Sequence, residues 1–367
     1  MSEFNRRQLL QASAALALPG LSSLAAAEPR QFSPRPGNWR TFEIITRVEV
    51  QNPQGTTRVW LPIPSVDSDY QQSLDSHWSG NAQTMRQAAD AHYGARMLVA
   101  EFAPGEPRPQ VELVSRFRTQ DRAIDWSSKK AVSEDPALLK YWTQPTELMP
   151  TDGIVKKTAL EATRGATSDV DKVRKLYEWT VANTFRDPKV RGCGVGDIKT
   201  MLETGNLGGK CGDINALFVG LCRAAGVPAR DVYGIRLVPS AFGYKQLSGN
   251  PANLTGAQHC RAEVFLAQYG WVAMDPADVG KVMRFETADW IKSTSDPVVA
   301  PVYKALYGGW EGNWLAFNTA HDVALPGSKG PKVGFFMYPN GENAGGRFDT
   351  LAPDEFKYVI TAREIKA

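Results

Sequence analysis

The sequence has few of the residues that bind metal ions. Its 367 residues include only 4 cysteines and 4 histidines. No two cysteines have Cys-x-x-Cys spacing, no histidines and cysteines have the spacing of a zinc site, and no acidic loop has the spacing of calcium ligands. The sequence therefore predicts no metal site and no cofactor.

An excess of either charge is also missing. The chain has 42 Lys and Arg against 39 Asp and Glu, a net charge of +3. No basic run with interleaved aromatic residues and no phosphate-binding loop motif occurs. Nucleic acid is therefore excluded as an expected partner. A content of 43% hydrophobic and 22% charged residues is typical of a soluble globular protein.

Long apolar runs are absent after the N-terminal segment. No later stretch reaches the roughly 18 consecutive apolar residues of a membrane-spanning helix. At the N-terminus, Arg6 and Arg7 precede an alanine-rich apolar stretch, and Ala25–Ala27 supply small residues for cleavage. This pattern predicts a twin-arginine export signal over residues 1–27; an ordinary secretory signal with a chance arginine pair is the alternative. Both predict a periplasmic or secreted protein without stable membrane insertion after cleavage.

Residues 38–125 have the pattern of a small antiparallel β domain. Segments rich in β-branched and apolar residues alternate with turn clusters such as Asn52–Gly55. The predicted strands cover residues 42–50, 58–64, 97–102 and 111–117. A β-sandwich is the arrangement that we expect for them.

A helix that begins at a cysteine is predicted next. The apolar positions that share one face are Ile214, Leu217, Phe218, Leu221 and Cys222. Gly226 and Pro228 end the pattern, which places Cys211 at the helix N-terminus. Free N–H groups and the helix dipole stabilise an anion there, and Lys210 adds a positive charge. Cys211 is therefore a candidate nucleophile; a buried structural thiol is the alternative.

His259 and Asp275 flank a predicted β-hairpin. Residues 259–267 alternate between polar and apolar side chains, a turn follows at Gln268–Gly270, and residues 271–274 return as a second strand. His259 and Asp275 are 275 − 259 = 16 residues apart, an even number. The hairpin can therefore bring the two side chains together on adjacent strands.

Cysteine, histidine and aspartate in this order suit acyl transfer. A thiolate attacks a carbonyl carbon far better than a thiol does. An imidazole takes the thiol proton and later donates it to the leaving group. A carboxylate holds the imidazole in the required tautomer. The sequence thus predicts Cys211 as nucleophile, His259 as general acid and base, and Asp275 as the group that orients His259.

These segments resemble the transglutaminase-like superfamily, a papain-related group with a Cys-His-Asp triad. The resemblance is carried by residues 209–211, 222–230, 259–263 and 275–276. It implies an α+β fold with a papain-like core, and we place the catalytic domain at residues 126–290 and a β-rich C-terminal extension at residues 291–367. The group includes transglutaminases, peptidases, amidases and deglycosylating enzymes.

The resemblance implies a mechanism more closely than a substrate. We expect acyl transfer from a peptide, protein or cell-envelope amide through a thioester on Cys211. Many members carry an aromatic residue two positions after the histidine, where this chain has Arg261. A cation at the edge of the site repels an ammonium group, so we expect a peptidase or amidase rather than a protein-crosslinking transglutaminase. A non-catalytic module that binds peptide or cell-envelope polymer is the other alternative.

Details of the site stay open in the sequence. The backbone N–H of Cys211 is one expected donor to the oxyanion, and Asn206 or Trp179 is the second. A glycine-rich segment over residues 191–197 is expected to form a cleft loop. Cys193 and Cys260 can form a disulfide in an oxidising compartment, if they are close enough in the fold.

Overall fold

The computed structural model describes residues 30–352 and 355–366. The predicted export signal, residues 1–27, lies outside these ranges. The described chain contains both helices and antiparallel sheets, which confirms the α+β prediction. No helix in these ranges combines the length and the apolar character that crossing a bilayer requires.

Antiparallel strands form the N-terminal part of the structure. They are β1 (Arg40–Glu49), β2 (Thr57–Pro62), β3 (Gln71–Gly80), β4 (Thr84–Ala89), β5 (Arg96–Phe102), β6 (Gln110–Thr119) and the short β7 (Arg122–Ala123). The four predicted strands correspond to β1, β2, β5 and β6. Their alternating side chains bury an apolar cluster that includes Phe42, Leu98 and Phe117.

The sequence does not predict β3 and β4, and their position explains why. Among the described strands, β3 pairs with β6 alone and β4 with β5 alone, so both lie at sheet edges. Their side chains are mostly polar and largely exposed. An edge strand that faces solvent needs little apolar alternation, which is the signal that sequence analysis detects.

Helices form the middle of the chain. They are α1 (Pro136–Tyr141), α2 (Gly153–Ala162), α3 (Asp169–Asn183), α4 (Ile198–Thr204), α5 (Cys211–Ala224), α6 (Pro276–Phe285) and α7 (Ala300–Ala305), with a 3₁₀ turn at Lys245–Leu247. Two short strands, β8 (Phe185–Arg186) and β9 (Gly208–Gly209), pair in parallel just before α5. Every residue of α5 is buried, so this helix is the centre of the core rather than an amphipathic surface helix.

A four-stranded antiparallel sheet packs against α5. Its strands are β10 (Ala229–Arg236), β11 (Gln258–Leu266), β12 (Gly270–Met274) and β14 (Trp314–Asn318), in the order β12-β11-β10-β14. The predicted hairpin corresponds to β11 and β12, in which Ala262 pairs with Met274. This sheet and α5 position the candidate site.

Strands near the C-terminus return to the N-terminal sheets. The remaining strands are β13 (Gly309–Trp310), β15 (His321–Val323), β16 (Val333–Phe335), β17 (Asn340–Asn343), β18 (Gly346–Arg347) and β19 (Lys357–Ile365). The two N-terminal sheets have the orders β19-β1-β6-β3 and β18-β17-β2-β5-β4. The C-terminal segment therefore completes both N-terminal sheets, while β14 joins the sheet that packs on α5.

Candidate active site

A glycine-rich loop packs closely against the N-terminus of α5. Asp213 accepts hydrogen bonds from the backbone N–H groups of Val195 at 2.8 Å, Gly196 at 2.9 Å and Lys210 at 2.9 Å. Gly194 has a φ of +89°, and a Cβ atom there would lie 1.8 Å from an Asp213 oxygen. The loop expected over residues 191–197 is thereby held against the helix.

Three thiols meet at this end of the helix. The Sγ atoms of Cys193, Cys211 and Cys260 all lie within 4.8 Å of one another. All four cysteines fall within the described residues, and all four are free thiols, so the structure contains no Cys193–Cys260 disulfide. The fourth, Cys222, lies in the apolar cluster around α5.

The surroundings of Cys211 favour its thiolate. The neighbouring Cys193 and Cys260 thiols hold the pKa of Cys211 well below its usual range, and interaction with His259 and its charge lowers this pKa further, against the effect of burial. Interaction with Cys211 raises the pKa of Cys193. Burial raises the pKa of Cys260 well above its usual range. Cys211 is therefore the thiol of this cluster that ionises first.

His259 and Asp275 are in direct contact. Nε2 of His259 lies 2.7 Å from Oδ2 of Asp275, and both side chains are buried. Asp275 caps α6, where its Oδ1 accepts the N–H of Asp278 at 3.0 Å. The Nδ2 group of Asn215, on α5, donates to the same oxygen at 3.3 Å. With Nε2 at the carboxylate, Nδ1 of His259 is the nitrogen available to Cys211.

A second carboxylate adjoins the same imidazole. Oδ2 of Asp278 lies 3.2 Å from Nε2 of His259, and Nη2 of Arg236 binds both Asp278 oxygens at 2.5 Å. Sequence analysis missed both residues. A signal for Asp278 existed, because a helix that begins at Pro276 and is capped by Asp275 brings Asp278 back to the cap. Arg236 gave no such signal, since charged residues are seldom buried.

The carboxylates stabilise the protonated form of His259. Burial alone would lower the pKa of His259, but the charges of Asp278 and Asp275 outweigh burial and raise this pKa to about 9. The pKa of Asp278 is well below its usual range, because the charges of Arg236 and His259 outweigh burial. At neutral pH, the site therefore favours an imidazolium beside a thiolate.

Arg261 is not at the edge of the site, so the expectation for this residue was wrong. Its side chain is 2% exposed, and its guanidinium lies over the rings of Trp310 and Trp314. Its Nε lies 3.6 Å from Asp275, and burial lowers its pKa to about 10. Arg261 therefore lies on the buried side of the Asp275 carboxylate and cannot contact an incoming ammonium group.

Glu263, also on β11, neutralises Arg122 and Arg230. This buried carboxylate contacts Arg122 and accepts a hydrogen bond from Nε of Arg230 at 2.6 Å. The charges of Arg230 and Arg122 outweigh burial and lower the pKa of Glu263. The polar face of β11 thus carries His259, Arg261 and Glu263 in alternation; the first two both approach Asp275, and Glu263 pairs with the two arginines.

A cleft of about 370 Å³ opens beside the site. Cys193, Lys210 and His259 are among its lining residues, and Sγ of Cys211 lies within 4.8 Å of Sγ of Cys193. The two side chains expected as second oxyanion donors are placed differently: Asn206 is exposed, and Trp179 packs against the apolar cluster around α5. The cleft therefore reaches His259 and Cys193, and Cys211 lies next to Cys193 in the thiol cluster.

Two groups in the described ranges have the spacing to hold a metal ion. One is the three thiols, and the other is His259 with Asp275 and Asp278. The carboxylates of the second group already pair with Arg236 and Arg261, so a cation there would face two guanidinium groups. An ion on the thiols would occupy Cys211.

Comparisons with known proteins agree with this architecture. Residues 156–276 match the family model described as the transglutaminase-like superfamily. An uncharacterized protein of Haemophilus influenzae is 36% identical over 342 residues, which cover 89% of this chain and 90% of the relative.

Solved structures superpose on the chain at low sequence identity. A candidate cysteine protease from Cytophaga hutchinsonii superposes with a TM-score of 0.50 at 15% identity, covering 89% of this chain and 99% of that one. The periplasmic domain of TgpA from Pseudomonas aeruginosa gives a TM-score of 0.35 at 16% identity, over 73% of this chain and 93% of that domain. The match to the family model, together with the relative at 36% identity, shows that this chain belongs to the transglutaminase-like superfamily.

Proposed function

We propose that the protein is an exported cysteine-dependent enzyme that hydrolyses a peptide or amide bond. The observation that carries the proposal is the 2.7 Å contact between Nε2 of His259 and Asp275. This contact leaves Nδ1 of His259 for Cys211, the thiol of the cluster whose pKa is lowered. Nucleophile, acid–base group and orienting carboxylate are then Cys211, His259 and Asp275, respectively.

The first half of the reaction forms a thioester. The Cys211 thiolate attacks the carbonyl carbon, and the carbonyl electron pair moves to oxygen, where the backbone N–H of Cys211 stabilises the negative charge. The imidazolium of His259 donates its proton to the nitrogen of the leaving amine. The oxyanion then collapses, the C–N bond breaks, and the acyl group remains on Cys211.

Water completes the reaction. Neutral His259 takes a proton from a water molecule, whose oxygen attacks the thioester carbon. The C–S bond breaks, the acid leaves, and the Cys211 thiolate and the imidazolium of His259 are restored. Asp275 keeps the imidazole in the tautomer that this proton transfer needs, and Asp278 helps to stabilise the imidazolium that is present before the first half-reaction and restored by the second.

Cations around the cleft favour water over an amine as the acceptor. Arg186, Lys210 and Lys281 line the cleft. A lysine side chain or another primary amine is an ammonium ion at neutral pH, so these cations repel it, whereas water is not repelled. Arg261 takes no part in this repulsion, because its side chain is buried against Trp310 and Trp314.

The acceptor can be tested with a peptide library and an excess of methylamine. The mature protein is incubated with both, and the products are analysed by mass spectrometry, with Cys211→Ala as the control for enzyme-independent cleavage. We expect free acids from the wild-type protein and no new products from the variant. Predominant methylamide products would identify a transamidase instead. Cleavage by Cys211→Ala at the wild-type rate would exclude Cys211 as the nucleophile.

A further inference from the structure

The cleft beside the thiols is lined by positive charge without a balancing acid. Besides His259, which pairs with Asp275, four cations line it, namely Arg186, Lys210, Arg236 and Lys281, and its described lining contains no aspartate or glutamate. Arg236 is neutralised by its ion pair with Asp278. Within the described chain, Arg186, Lys210 and Lys281 form no ion pair. Three cations without an ion-pair partner among the described residues therefore face one cavity.

These cations converge from separate elements. Arg186, on β8, pairs with Gly209 of β9, and Lys210 follows Gly209 directly. Lys281 lies on α6, and its Nζ donates a hydrogen bond to the backbone oxygen of Gln246 at 2.7 Å. Burial, and the charges of Arg236 and Arg186, lower the pKa of Lys281 to about 8, against the attraction of Asp278. Holding this ammonium among other cations is unfavourable until an anion enters the cleft.

An unsatisfied amide lines the same cleft. Gln258 is 7% exposed, and neither its Nε2 nor its Oε1 has a hydrogen-bond partner among the described residues. A buried amide without partners is unfavourable, so its atoms are available to a ligand that enters the cleft. Asn250 and Asn253 add two further amides to the lining. Cations and amides together match a carboxylate attached to a peptide chain.

We propose that this cleft binds a carboxylate of the substrate, and that the substrate is therefore an acidic peptide. This inference rests on the proposed function, because it places the carboxylate beside the bond that Cys211 attacks. Lys281 and Arg186 bind the carboxylate, Lys210 adds positive charge at the start of α5, and Gln258 bonds the adjacent peptide group. A neutral peptide leaves the cations uncompensated, and a basic peptide is repelled.

Binding can be measured without turnover. The Cys211→Ala protein is titrated with fluorescein-labelled peptide pairs that differ only by Glu or Gln at one position, and Kd is read from fluorescence anisotropy. The library cleavage products supply the sequences, or random acidic hexapeptides serve if nothing is cleaved. We expect the Glu peptide to bind about tenfold more tightly than the Gln peptide, the usual size of one charge-assisted hydrogen bond.

Variants then assign the preference to the cleft. Lys281→Met and Arg186→Gln, each in the Cys211→Ala background, should each reduce the Glu-over-Gln preference to about twofold or less. Lys157→Met and Arg86→Gln remove the same charge from exposed positions outside the cleft and should leave the preference unchanged. Circular dichroism verifies the fold of each variant.

The outcomes separate this inference from the proposed function. Two results would overturn the carboxylate-binding inference even if the enzyme hydrolyses peptides. One is equal Kd values for the Glu and Gln peptides at every position. The other is a Glu preference that persists in both cleft variants. A Glu preference that both cleft variants abolish would support it, even if the wild-type protein cleaves none of these peptides and the hydrolase proposal fails.

Discussion

Replacing Asp275 by asparagine separates the charge of the site from its architecture. Asp275 begins α6 by accepting the N–H of Asp278 at 3.0 Å, and an asparagine side chain caps a helix equally well. The same carboxylate holds Nε2 of His259 at 2.7 Å. We therefore expect Asp275→Asn to fold normally, lose the negative charge and permit the wrong imidazole tautomer.

The size of the effect follows from the pKa of His259. That pKa is about 9, against 6.5 for an ordinary histidine, a difference that corresponds to about 3 kcal/mol of net stabilisation of the imidazolium. Asp278 and Asp275 both contribute, since Asp278 lies 3.2 Å from the same nitrogen. Loss of Asp275 should remove roughly half of this stabilisation and so lower the pKa of His259 by about one unit. We expect about a hundredfold loss of hydrolysis rate, less than the ~10⁴ that loss of a triad carboxylate can cause, because Asp278 remains beside the imidazole.

Histidine NMR provides the assay, because the chain has only 4 histidines. Samples with ¹⁵N-labelled histidine are titrated from pH 5 to 10, and the His259 signals are assigned with His259→Asn. Asp289→Asn, an exposed aspartate, serves as the matched control. The control should reproduce the wild-type curve. A folded Asp275→Asn protein in which His259 titrates as in the wild type would refute the electrostatic reasoning.

Three further predictions concern pH, stability and export. The rate of hydrolysis should decline as pH rises through about 9, because His259 then loses the proton that the leaving group needs. Activity should persist to low pH, because the pKa of Cys211 is lowered. A flat pH–rate profile from pH 7 to 10 would contradict this expectation. Glu263→Gln should lower the free energy of unfolding in urea by about 3–5 kcal/mol, because the buried Arg122 and the partly buried Arg230 lose their partner. Because the pKa of Glu263 is lower in the folded than in the unfolded state, Glu263 contributes fully to the free energy of unfolding above its unfolded-state pKa. This contribution is lost as pH falls through the folded-state pKa. Equal free energies of unfolding for wild type and variant would disprove the role of Glu263. Changing Arg6 and Arg7 together to lysine should strand the precursor in the cytoplasm, whereas normal export in cell fractionation would favour the general secretory route.

The predictable part of the site came from local patterns. Helical spacing located the start of α5 at Cys211, and two-residue alternation located the hairpin that carries His259. Both patterns act over a few residues and reflect which faces are buried, so a single sequence contains them. The contact between His259 and Asp275 requires two further features, the even spacing of the two residues across the turn and the helix that begins directly after Asp275.

The buried charges could not be predicted in the same way. The burial of Arg236 and Arg261 could not be inferred from a single sequence, because burial of a charge is favourable only when its partner is also present. Those partners come from distant parts of the chain, as Arg236 and Asp278 are 42 residues apart. The return of β19 to β1 is equally non-local, and the short, partly polar β17 gives no sign of its partner β2.

The central claim is that Cys211 is the reactive thiol of the cluster, and limited alkylation tests it most directly. The folded, reduced protein is treated with substoichiometric iodoacetamide at pH 7, and peptide mapping by mass spectrometry quantifies each cysteine. The lowered pKa predicts that Cys211 is modified first, although it is 1% exposed and Cys193 is 5% exposed. Faster modification of Cys193 or Cys260, or equal modification of all three, would contradict the account.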